Sequence, residues 1–142
     1  MPGKGRSARL NGATIECPVA RPGPAIEAFL KALARDRLLA ASKRYATRLE
    51  RSFARLTLRD TRSRWGSCSA TGNLMYSWRL ILAPPDVLDY VAAHEVAHLA
   101  HMDHSPAFWG TVEALCPGYA EPRAWLRREG AGLHRYRFRA ED

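Results

Sequence analysis

Apolar residues recur at helical spacing from Pro24 to about Arg51. In PAIEAFLKALARDRLLAASKRYATRLER, the positions Ile26, Leu30, Leu33, Ala41, Tyr45 and Leu49 follow one stripe. Pro24 suits a first helical turn, so the pattern predicts one long amphipathic helix. The period then changes to two. FARLTLRD sets Ala54, Leu56 and Leu58 against Arg55, Thr57 and Arg59, the signature of a half-buried strand. RSRWGSCSATGN is turn-rich and is expected to be a connection. LMYSWRLILA alternates again, with Tyr76, Trp78, Leu80 and Leu82 on one side, and predicts a second strand. Pro84-Pro85-Asp86 stops that strand and starts a helix with Asp86 as its N-terminal cap. Two shorter helices are expected in SPAFWGTVEALC, ending before Gly118, and EPRAWLRRE, ending before Gly130. A basic tail, LHRYRFRAED, closes the chain. Near the N-terminus, LNGATIECPV predicts a short hairpin at Asn11-Gly12. Helix, then strands, then helices describes an α+β architecture.

The chain has 142 residues, 46% of them hydrophobic, enough for one sizeable core without disulfides. Residues 1–23 read as a basic, Gly/Pro-rich segment and residues 24–142 as the folded domain. Cys17, Cys68 and Cys116 lie far apart with no CxxC pair, which argues against a disulfide framework or a cysteine zinc site. The basic start, MPGKGRSARLNG, is not followed by an apolar run of signal-peptide length, and no stretch approaches a transmembrane helix. A cytoplasmic monomer with reduced thiols is the expectation. Charge adds one possibility: 22 Lys+Arg against 14 Asp+Glu leaves +8, which favours anionic partners, and weak, non-specific binding of nucleic acid is expected.

Chemistry concentrates in HEVAHLAHMDH, residues 94–104, which holds four of the five histidines. Val87, Val91, His94, His98 and His101 form one helical stripe that begins apolar, so the histidines face inward. A lone histidine on such a face is more often a core residue than a ligand. HExxH changes that balance. Imidazoles four residues apart project from adjacent turns and reach one zinc ion at about 2.0–2.1 Å each. Glu95 points to the side of the pair, where it hydrogen-bonds a zinc-bound water, takes its proton and passes it to a leaving amine. A third protein ligand is required, and His101 and His104 compete. On a continuous helix His101 lies about 10.5 Å along the axis from His94, too far to converge on the same metal. Ser105-Pro106 reads as the cap and first position of the next helix, so a chain that turns after Met102 brings His104 back to the metal. His104 also has the last-histidine spacing of the metzincin pattern HExxHxxGxxH, although His101 replaces its glycine and no Met-turn follows.

RWGSCS, GNLMYSWRLILAPPDVLDYVAAHEVAHLAHMDHSPAFW and PGYAEPRAWL together closely resemble the YgjP-like metallopeptidases, relatives of the SprT-like and WLM zincins. The resemblance spans about Arg62 to Gly130. It implies a compact zincin-like domain with one zinc per chain held by His94, His98 and His104, and Glu95 as general base.

Other residues receive more ordinary roles. Cys68 is expected to pack in the turn before the strand, and Trp65, Trp78, Trp109 and Trp125 in the core. Arg64 and Arg79 are expected to be solvated or paired. The segment from Asn73 to Leu82 is the expected sheet edge for a substrate added as an extra strand. Tyr136 and His134 are candidate oxyanion stabilisers. The sequence as a whole points to a zinc-dependent peptide hydrolase. The rival reading is a DNA-associated protein, of the SprT-like kind that processes DNA–protein crosslinks, in which the basic surface binds nucleic acid. A purely structural zinc site is disfavoured, because three histidines leave a coordination position open.

Overall fold

A computed structural model describes residues 9–11, 14–16 and 23–135. At the N-terminus β1 (Arg9–Asn11) pairs antiparallel with β2 (Thr14–Glu16), placing Asn11 opposite Thr14. This is the expected hairpin, although its turn residue Gly12 lies outside the described residues.

The long helix α1 spans Pro24–Leu49, with Pro24 in the first turn as the fixed φ of proline favours. It ends at Glu50, which takes the left-handed conformation (φ 58°) and donates its backbone N–H to carbonyls of the last turn. Its Leu30, Ala34, Leu38, Ala41 and Tyr45 are buried and form one wall of the core.

Three strands form the second sheet, in the order β3 (Arg55–Arg59), β5 (Asn73–Ser77), β4 (Gly66–Cys68). β3 runs parallel to β5, and β4 antiparallel to it. β4 falls within the stretch expected to be only a connection. Its three half-buried residues have too little alternation to announce a strand; pairing with β5 creates it. In β3, Leu56 is buried and Leu58 partly so, whereas Ala54 is exposed and lies outside the strand.

Two expectations for the next segment need correction. The strand does not continue to Leu82: it stops at Ser77, and Trp78–Leu82 form a 3-10 turn in which the Ser77 hydroxyl accepts the Arg79 N–H. All five turn residues are buried, so the alternation in the sequence marks no solvent face. The buried polar member, Arg79, donates to both carboxylate oxygens of Asp60 (2.8 and 3.2 Å) and to the Leu133 carbonyl (3.2 Å). Nor is this segment the sheet edge, since β5 is central; β4 is the edge strand beside the histidine-bearing helix.

That helix, α2, spans Pro85–Ala97. Its N-cap is Pro84, and Asp86 lies within the first turn, where its carboxylate suits the positive helix end. α3 (Pro106–Leu115) and α4 (Ala120–Glu129) follow as expected, then a final 3-10 turn, Gly130–Arg135. α2 packs against α1, α3, α4 and β4, so the helix carrying the histidines is enclosed on several sides. Among the described residues, no helix is long and apolar enough to cross a membrane.

Candidate metal centre

His94 is on the last turn of α2, and His98 is the residue that caps it. The helix unwinds earlier than Met102: the N–H groups of His98, Leu99 and Ala100 already bond back three residues. This tightening turns the chain, and Ser105 starts α3 by accepting the Phe108 N–H on its hydroxyl. His104 is thereby brought opposite the helix pair. The imidazole centroids of His94, His98 and His104 are 5.2, 5.3 and 5.0 Å apart, and one ring nitrogen from each lies within 4.8 Å of the other two. Spacing of that kind lets three nitrogens converge on one ion.

The other ring nitrogens have partners. His98 Nδ1 lies 2.9 Å from the His101 carbonyl, to which it can only donate, leaving Nε2 as the free donor atom. His94 Nδ1 lies 3.3 Å from the Tyr90 hydroxyl. Such partners orient ligating imidazoles. His101 thus reaches the cluster through its backbone oxygen and is not in the ligand group. Burial, aided by the neighbouring histidines and Arg123, pulls His94 down to about 4, and burial also lowers His98. Both are therefore neutral near pH 7, the form a metal requires. His104 is exposed, so the cluster opens to solvent.

Phe108 braces all three imidazoles. It stacks on His98 (4.4 Å between centroids) and meets His94 and His104 edge-on, at 5.0 Å each. Trp109 flanks His94 and His104 at 5.6 and 6.0 Å, and stacks on Tyr119, which stacks on Tyr90. Trp109, expected in the core, is half-buried: it packs against the core and also forms a wall of the site. The signal available was position, since Phe108 and Trp109 occupy the first turn of the helix that His104 precedes.

Glu95 is 6% exposed, and burial pushes its carboxyl up to about 8 despite the opposing charge of Arg64. It touches the edge strand. An atom added to Gly66 as a Cβ would stand 3.0 Å from Glu95 Cγ, 3.1 Å from Oε2 and 3.1 Å from the Met75 carbonyl, so any larger residue there makes its neighbours give way. A cavity of about 230 Å³ opens beside Glu95 and His94, between Trp65, Val91 and Leu126. A larger groove, about 630 Å³, passes His98 on the way to Ser69 and Glu50.

The remaining candidates separate from this centre. Cys68 is half-buried, and burial, reinforced by the Glu95 charge, pushes its thiol up to about 11, which leaves it protonated and inert. His134 stacks on Trp65 (centroids 4.9 Å apart), and Tyr136 lies outside the described residues. Arg64 is exposed at the mouth of the smaller cavity, whereas Arg79 is fully buried and paired.

Comparison with known proteins gives a family and a shared fold. Residues 16–129 match the family described as YgjP-like, metallopeptidase domain. Among solved structures, the metallopeptidase zymogen of Pyrococcus abyssi abylysin shares the fold at a TM-score of 0.57. The two are 20% identical over 70% of this chain and 98% of that one. No curated protein matches.

Proposed function

The chain belongs to the YgjP-like metallopeptidase family, and we propose that it is a zinc-dependent peptide hydrolase with His94, His98 and His104 as ligands and Glu95 as general base. The observation that carries this reading is the convergence of three imidazole nitrogens within 4.8 Å, next to a buried glutamate. The donor set fits the ion: three neutral imidazoles suit zinc and leave a fourth position open, as catalytic sites do. When bound, zinc acidifies a water and polarises the scissile carbonyl.

The protein's own groups supply the rest. Tyr90 and the His101 carbonyl hold the helix imidazoles with Nε2 forward. Glu95 would accept a proton from the attacking water and deliver it to the leaving amine. The β4 edge, Gly66–Cys68, replaces the Asn73–Leu82 segment as the place where an extended substrate adds as a strand. Its contact with Glu95 at Gly66 puts that substrate backbone next to the base.

Glu95→Gln tests the assignment. The variant is expected to keep about one zinc per chain and the fold, measured by metal analysis and thermal unfolding, while losing about 10²-fold or more of its hydrolysis of an unfolded protein. Undiminished hydrolysis removes Glu95 from the reaction.

A further inference from the structure

Resting on the hydrolase reading, we propose that Arg51 is a positioning residue of the metal centre. From the end of α1 it clasps the turn that carries His104 to the other two histidines.

That turn has few ties of its own. A helix end leaves its last carbonyls without partners in the helix. Where α2 unwinds, side chains take up two of them. His98 Nδ1 pairs with the His101 carbonyl at 2.9 Å, and Arg51 donates to the Leu99 carbonyl at 3.0 Å. The first bond stays within the turn. The second is, among the described residues, the only hydrogen bond that ties residues 99–104 to an element other than α2. The backbone of His104 is therefore fixed from two sides, by this clasp before it and by the Ser105 cap after it.

A guanidinium suits the place. The C-terminus is the negative end of a helix dipole, and a cation that donates to its carbonyls is favoured there. Arg51 is also held ready for the task. Glu50 is the one non-glycine among the described residues with a positive φ (58°), and next to it the Arg51 N–H closes α1 on the Ala46 carbonyl at 3.0 Å. Its guanidinium thus starts from a fixed backbone. One turn earlier, Arg48 makes a similar bond to the Leu115 carbonyl at 3.2 Å. Leu115 is the last residue of α3, at the far end from His104, whereas Leu99 directly follows His98. Two like bonds therefore differ in what they hold. Without the Arg51 clasp the turn gains freedom that zinc must remove before His104 can ligate, and affinity falls.

The test compares Arg51→Met, which keeps the stem but loses the donors, Arg51→Lys, which keeps a cation that donates, and Arg48→Ala with wild type. Arg51 is exposed, so its substitution spares the core. Zinc affinity is read by competition with a chelator, and site geometry by the visible absorption of the cobalt-substituted protein. Arg51→Met is expected to bind zinc about 10-fold more weakly and to show altered cobalt bands, and Arg51→Lys to recover most of the affinity. Arg48→Ala should lower the melting temperature yet leave zinc affinity and cobalt bands as in wild type. Wild-type affinity in folded Arg51→Met overturns the proposal, as does an equal loss in Arg48→Ala. An Arg51→Met protein that does not fold also overturns it, since the residue then serves the fold and not the metal centre. Wild-type protein that binds no zinc refutes the metal-site reading instead, before any variant is compared.

Discussion

Gly66→Ala tests the link between the edge strand and the base more sharply than any change to the histidines. The added methyl carbon would lie 3.0 Å from Glu95 Cγ and 3.1 Å from both Glu95 Oε2 and the Met75 carbonyl. Carbon atoms settle at about 3.5–4.0 Å from one another, so a neighbour must give by a few tenths of an ångström. The Met75 side is backbone in the central strand and yields little, so the Glu95 side chain or the β4 strand must move. Overpacking of this kind costs about 1–3 kcal/mol, which lowers the melting temperature without preventing folding. Catalysis should suffer more. Displacing a reacting group by about 1 Å can cost about 10²-fold, and we expect kcat/KM on an unfolded protein to fall by about 10- to 100-fold. Zinc affinity should change little, because the three atoms nearest to the added carbon belong to Glu95 and Met75 and not to a histidine. Wild-type kcat/KM in a folded, zinc-loaded Gly66→Ala protein would falsify the claim that this contact positions Glu95.

His104→Ala should abolish stable zinc binding, whereas His101→Ala should retain the metal, since only the His101 backbone oxygen reaches His98. Zinc titrations showing the reverse would overturn the ligand set. Tyr90→Phe removes the hydroxyl beside His94 Nδ1 and is expected to weaken zinc by about 10- to 100-fold, read by competition with a chelator. An unchanged affinity would make Tyr90 packing only. Asp60 offers a pH test. Burial alone would raise its carboxyl, but the hydrogen bonds and charge of Arg79 outweigh that and hold it below its ordinary value of 3.8. Its pairing therefore stabilises the fold above that pH and is lost as the pH falls through the lowered value. The melting-temperature gap between wild type and Asp60→Asn should be widest above about pH 5 and close below about pH 4. A gap independent of pH would show that Asp60 acts through its shape alone.

What the sequence by itself determined rests on local rules. Period 3.6 and Pro24 define the long helix; Pro85 opens the helix of His94 and His98; Ser105-Pro106 opens the next and so fixes where His104 can stand. The three-histidine centre was legible because its members lie within eleven residues and one helix cap decides between His101 and His104. Tertiary structure alone decided the rest. β4 exists because β5 pairs with it, and that pairing also makes Asn73–Ser77 a central strand and Gly66–Cys68 the edge. Trp78–Leu82 abandon the strand because both faces are buried and Arg79 finds Asp60 and the Leu133 carbonyl. The glycine against Glu95, the phenyl ring beneath three imidazoles and the tail that braces Trp65 all depend on contacts between distant segments. Periodicity and capping act over one or two turns of chain, whereas packing joins residues whose proximity no local pattern encodes.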